Sequence, residues 1–243
     1  SLWPGYSRAA GCPVLSQSLL QPLAWYWWAS ASIINSPGRP SPIRLFQRRQ
    51  PISATTGRMA ITTGFVYILA AVLLIIFFAV GQPFGTLNDI FNGLAGISSG
   101  ILAWMLYAQN RTTSPSLFRV GIVLAWVGVI TVVIGSVLVI SQITGWVLAG
   151  LYSSAGSALI GLWVLVFSYS MLKNNFLNRN LNIWGLVAGA LMVTGLAVLP
   201  GIFSGFDSET TVPWYLYVAG LGALGGIIYI IWCIRLGRAL LRK

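Results

Sequence analysis

From residue 59 onward the chain is written in long apolar runs separated by short polar or turn-forming breaks. The runs cover about residues 60–80, 87–108, 119–140, 145–172, 183–203 and 213–234. Each has roughly 20 residues or more, and at about 1.5 Å per residue a helix of that length crosses a hydrocarbon layer of about 30 Å. None shows the strict apolar/polar alternation of a half-buried strand. An open sheet edge is also not tolerated in lipid, where no water replaces its missing hydrogen bonds. The pattern predicts an all-α fold, a polytopic transmembrane helical bundle of six spans. Because the breaks are short, neighbouring helices are expected to pack antiparallel as hairpins.

Charge turns this pattern into a topology. The basic residues beyond residue 58 are Arg111, Arg119, Lys173, Arg179, Arg235, Arg238, Arg242 and Lys243, which fall after the second, fourth and sixth runs. The other junctions hold Asp89, Asp207 and Glu209, the whole acidic complement, and no Lys or Arg. Cytoplasmic loops collect Lys and Arg, so both ends of the bundle are expected inside, N-in/C-in. The composition agrees, with 57% hydrophobic and only 7% charged residues, against about 25% charged in ordinary soluble domains. A net charge of +11 raises nucleic acid as a partner, but the sequence holds no basic stripe or recognition module, and none is expected. The expected partner is the lipid bilayer of the cell (inner) membrane, with a homo-oligomer or a membrane-protein partner as further candidates.

Residues 1–58 differ in texture. They carry Arg8, Arg39, Arg44, Arg48, Arg49 and Arg58, no acidic residue, and scattered Trp, Ser and Pro without a sustained period. No methionine precedes Met59. The chain is therefore divided into a basic, poorly structured extension (1–58) and a six-helix transmembrane domain (59–243). Met59 is the expected natural start, and a genuine basic extension is the rival.

The second, fourth and sixth runs share a small-residue first half and an aromatic second half: Gly96 to Gly100 with Trp104, Ser153 to Ser157 with Trp163, and Gly220 to Gly226 with Trp232. Three helical-hairpin repeats would produce this, and so would the small alphabet of membrane helices. Small residues recur at four-residue spacing in Gly96/Gly100, Gly185/Gly189, Gly222/Gly226 and Ala149/Ser153/Ser157/Gly161. Such a stripe lets backbones approach closely, either between copies of the chain or within one bundle.

Two polar groups are candidate sites. Asn88, Asp89 and Asn92 open the second run, where they form a polar mouth for a solute or cation, or else cap the helix start. Ser153, Ser154 and Ser157 give the fourth run a polar face inside the bundle, suited to a small-molecule contact or to hydrogen bonds between helices. Asp207 and Glu209, in the last outside junction, form a weaker candidate cation site. Gly220-x-Gly222-x-x-Gly225 fits the dinucleotide fingerprint by letter, yet it lies inside an apolar run with no water-facing phosphate site. The sequence has no histidine, so the commonest general base and metal ligand is missing. Cys12 and Cys233 have no metal or disulfide spacing. No enzyme activity, cofactor or metal is expected.

The stretches Gly81-Gln82-Pro83-Phe84-Gly85-Thr86-Leu87-Asn88-Asp89-Ile90 and Tyr229-Ile230-Ile231-Trp232-Cys233-Ile234-Arg235-Leu236-Gly237-Arg238, with the helices between them, resemble a group of small, uncharacterised bacterial multi-pass membrane proteins. The resemblance covers residues 59–243 and implies six spans, with no known activity and no site residue. The expected function is that of a non-catalytic membrane protein that packs with partner proteins, lipid or an apolar small molecule. The alternative is a transporter or channel for a small neutral solute.

Overall fold

Every apolar run is helical, and the helices extend a few residues beyond the runs at one or both ends. The computed structural model describes residues 54–110, 115–174, 177–208 and 212–242. Within them lie α1 (Ala54–Val80), α2 (Phe84–Asn110), α3 (Pro115–Ile140), α4 (Trp146–Lys173), α5 (Arg179–Val193), α6 (Leu199–Ser204) and α7 (Trp214–Leu241). A 3-10 segment, Thr194–Val198, joins α5 to α6 so that the two make one interrupted span. Pro200 accounts for the interruption. It has no N–H to give the carbonyl four residues back, and the chain tightens to i→i+3 pairing just before it.

Helix α1 starts at Ala54, upstream of Met59. Its first turns are packed, with Thr56 fully buried and its hydroxyl accepting a hydrogen bond from Gln109 Nε2 at 2.7 Å. The remainder of the expected extension, residues 1–53, lies outside the described residues.

The six spans form a ring in which each packs against the next in sequence, and α7 closes it against α1. Consecutive spans are antiparallel, so the helix ends gather at two ends of the bundle. At one end Gly57 meets Gly237 and Phe118 packs on Phe167. At the other, Phe78 touches Trp146, and Asp207 reaches Gly145. All the described basic residues (Arg58, Arg119, Lys173, Arg179, Arg235, Arg238 and Arg242) are exposed at the first end. Asp89 and Asp207 lie at the second.

Large apolar side chains cover the outside of the ring: Phe65, Ile75, Phe78, Val123, Ile130 and Tyr217 are among those exposed. Such a surface is the wrong one for water and the right one for hydrocarbon. All six spans are long and apolar enough to cross a membrane, with mean hydropathy from 1.4 to 2.7 over their most apolar windows. The protein is a multi-pass integral membrane protein, an all-α bundle.

Lipid tails are as apolar as leucine, so contact area alone does not pull helices together; close packing does. Helix α4 is the most buried span, with 61% of its most apolar window buried against 22% for α1. It reaches that position through small residues on two sides. A Cβ on either Gly128 or Gly156 would lie 2.6 Å from the other's carbonyl oxygen, which fastens α3 to α4. On α4's other side Gly161 and Gly189 make the same kind of crossing, at 3.1 and 2.7 Å. Gly96 and Gly156 hold Val132 between them. The small-residue stripes are therefore largely occupied inside the chain, although Gly226 has open space around it. The glycines of α2, α4 and α7 that mark the internal repeat meet unlike partners: Val132 for Gly96, Gly128 for Gly156, and Met192 for Gly225.

A row of rings fills the interior toward the basic end. It runs from Phe118 through Phe167, Trp163, Trp232 and Tyr229 to Tyr67, with successive centroids 5.5–6.4 Å apart in stacked or edge-to-face pairs. Four helices (α3, α4, α7 and α1) contribute to it. A smaller cluster of Leu151, Ala155 and Val198 occupies the opposite half.

Gly237→Val tests the closing contact. A Cβ there would lie 2.5 Å from the Gly57 carbonyl oxygen, and a backbone atom cannot step aside. The expected cost is about 1–3 kcal/mol, as for other overpacked sites, read as a lower thermal midpoint by fluorescence-detected size exclusion in detergent. Gly226→Ala, placed in open space, is expected to stay within about 0.5 kcal/mol of the parent.

Candidate functional site

The structure places the two predicted polar groups on opposite flanks of α3. Helix α2 begins at Phe84, so Asn88 and Asp89 stand inside the helix instead of at its cap. Gln82 does that work: its Oε1 accepts from the Thr86 amide at 3.4 Å and from the Thr86 hydroxyl at 3.2 Å. Asn88 Nδ2 donates to Asp89 Oδ1 at 3.3 Å, and Asn88, Asp89 and Asn92 are each half-buried. One residue further, Gly93 faces Ser136 of α3.

The serines of α4 are likewise half-buried. Ser153 Oγ abuts Gly135 of α3, whereas the Ser154 carbonyl meets Gly195 in the fifth span. About 100° of helix separates these two neighbours. Since Ser136 turns to α2 and Gly135 to α4, α3 stands between the mouth and the serine face.

Asp207 has a role that the sequence pattern does not disclose. The span ending in α6 stops at Gly205, in the left-handed conformation with φ 64°. The Gly205 amide donates to the Ile202 carbonyl at 3.1 Å and the Phe206 amide to the Gly201 carbonyl at 2.8 Å, the paired bonds of a Schellman stop. Phe206 then packs on Tyr215, and the next residue is Asp207. Its carboxylate accepts from the Gly145 amide at 2.6 Å and from the Leu148 amide at 3.2 Å, at the start of α4. A helix start offers free amides and a partial positive charge, and a carboxylate answers both. Of the candidate cation site at Asp207 and Glu209, the structure shows Asp207 engaged by backbone amides. Glu209 lies outside the described residues.

A buried hydroxyl cluster was also missed. Ser99 Oγ accepts from the Tyr229 hydroxyl at 3.1 Å, donates to the Ala95 carbonyl at 2.9 Å, and lies 3.4 Å from the Tyr67 hydroxyl. It ties α1, α2 and α7 together at the end of the aromatic row. Tyr229 stands 130 residues from Ser99 in sequence, and the ring closure between α1 and α7 brings it to the other two.

On the outer surface, Ile101 and Trp104 of α2 and Trp126 of α3 line an open groove of about 260 Å³. Gly100 leaves room for it, since a side chain there would crowd Val129 at 2.8 Å and meet the Trp126 ring at 3.7 Å. This apolar concavity between two helices is the candidate site, because its lining suits a hydrocarbon guest.

No protein-family model, no curated protein and no solved structure matches the chain. The six spans implied by the resemblance are present, and no family or homologue is identified.

Asp207→Ala removes the acceptor from two amides and is expected to cost about 0.5–2 kcal/mol, the range for lost helix caps. Asp207→Asn, which keeps one oxygen, is expected to lose less. Gly145→Ala would push a Cβ to 2.6 Å from the same carboxylate and is expected to lower the thermal midpoint in detergent as Asp207→Ala does. Unchanged midpoints in all three would remove the cap from the account of α4.

Proposed function

We propose that this is a non-catalytic, multi-pass protein of a bacterial inner membrane that works through its outer surface, packing with partner proteins, lipid or an apolar small molecule. The observation that carries this reading is the aromatic row: Phe118, Phe167, Trp163, Trp232 and Tyr229 are each at most 2% exposed and occupy the place where a central path would run. A bundle closed in this way offers guests its periphery, where the Trp104/Trp126 groove lies. The gathering of exposed Arg and Lys at one end supports a cytosolic position for that end, which puts both termini of the six-span domain inside.

Transport of a small neutral solute is the competing reading. It draws on the half-buried Asn88, Asp89 and Asn92 and on the buried hydroxyls of Ser136 and Thr144, which have no hydrogen-bond partner. All of these sit in the half of the bundle away from the aromatic row.

Two measurements test the proposal. Vesicles containing the purified protein are expected to shrink and reswell in glycerol, urea and sugar gradients at the rate of empty vesicles; a protein-dependent flux would replace this reading with transport. For orientation, a cysteine placed at Arg242 in a background lacking Cys12 is expected to resist membrane-impermeant maleimide in intact cells, and one at Ser208 to react. Cys233 is fully buried and does not interfere.

A further inference from the structure

We infer that the groove between α2 and α3 holds one anionic glycerophospholipid, with Arg119 binding its phosphate and one acyl chain lying against Trp104 and Trp126. The inference rests on the outer-surface reading above and names the guest.

The apolar part is set by the groove. Its 260 Å³ falls just below the roughly 300–1,000 Å³ of sites that enclose a drug-sized ligand, which suits a stretch of one chain seated along the surface. Side chains lean toward the N-terminus of their own helix. On antiparallel neighbours the Trp126 and Trp104 rings therefore lean toward each other, and they flank a strip running along the bilayer normal. Trp104 is 55% exposed and Trp126 38%. An interfacial aromatic belt explains exposed tryptophans at headgroup level, but Trp126 is the twelfth residue of a 26-residue helix, near mid-membrane, where the belt does not reach.

The charged part is set by register. Arg119 precedes Trp126 by seven residues, which returns it to the same helix face about 10 Å nearer the basic end. Val123, 60% exposed, lies between them on that face. Arginine at this depth extends its head to the interface, where its planar fork matches a phosphate. The described acids, Asp89 and Asp207, lie at the opposite end, so no described carboxylate side chain stands near Arg119. Arg235, by contrast, has its guanidinium over the Trp184 ring at 5.3 Å. A second copy seated face to face on the same strip would bring two Arg119 side chains together with no acid nearby, a cost that an anionic lipid does not carry.

The test is native mass spectrometry of the full chain in mild neutral detergent, titrated with phosphatidylglycerol or phosphatidylcholine. One phosphatidylglycerol is expected to be retained at least tenfold more tightly than phosphatidylcholine. Arg119→Gln and Trp126→Ala are each expected to weaken retention at least fivefold, and the double variant about 25-fold, since two separate contacts on one lipid multiply. Arg238→Gln, an equal loss of charge elsewhere at the basic end, is expected to change it less than twofold. Trp104→Leu probes the same wall if Trp126→Ala does not stay monodisperse. Equal retention of the two lipids would overturn the inference, as would an Arg238→Gln effect matching Arg119→Gln, or a photocrosslinker at position 126 that traps a second copy instead of lipid. Solute flux would sink the outer-surface reading and leave selective lipid retention standing; loss of selectivity without flux would sink this inference alone.

Discussion

In hydrocarbon, a helix gains little by exchanging a lipid neighbour for a protein one, and what binds this bundle is the closeness its backbones achieve. Three close crossings have glycine facing glycine: Gly128 with Gly156, Gly161 with Gly189, and Gly57 with Gly237. The first two draw α3 and the fifth span onto α4, which places Trp163 and Phe167 inside the ring. The third draws α7 onto α1 and carries Tyr229 and Trp232 to meet them. The aromatic row is thus a consequence of backbone contact, since rings of this size fit edge to face only when the helices stand at fixed separations. Methyl groups at these glycines would widen the ring before any ring contact was lost.

Polar groups follow a second logic. Hydrocarbon supplies them no partner, and apart from a few such as Ser136 and Thr144 they find one within the bundle. Thr63 donates back to the Met59 carbonyl at 2.9 Å, Ser98 and Ser99 to the Ala95 carbonyl, and Thr194 to the Leu191 carbonyl. These local bonds satisfy hydroxyls without a ligand. The longer-range pairs, Tyr229 with Ser99 and Gln109 with Thr56, do more: both join distant parts of the sequence near the α1–α2–α7 corner.

The spans were legible because lipid exposure demands unbroken apolar runs, and the sorting of Arg and Lys from Asp and Glu could be read for the same reason. Helix ends were less so. Thr55, Thr56 and Arg58 look like a polar lead-in, yet they continue α1 because Gln109 stands ready to pair with Thr56. The polar residues of the candidate sites could be picked out, but their arrangement could not. Whether Asn92 and Ser153 share a cavity depends on which helix stands between them, and that is decided by glycine crossings spread along the whole chain. Asp207 resembled a loop acid until the turn at Gly205 showed where it points. The Trp104/Trp126 groove left a trace in the seven-residue step from Arg119 to Trp126, but only the adjacency of α2 and α3 turns that step into a surface.

Ring closure also bears on how the molecule is made. Domains generally form in the order of synthesis, N-terminal first, yet α1 has its permanent neighbour on one side only after the ribosome has finished α7. Until then Gly57 and Ser99 lack their α7 partners, Gly237 and the Tyr229 hydroxyl. Five inserted helices would leave a cleft lined by Tyr67, Trp163 and Phe167 open to the membrane. Helix α7 is the one that completes the ring.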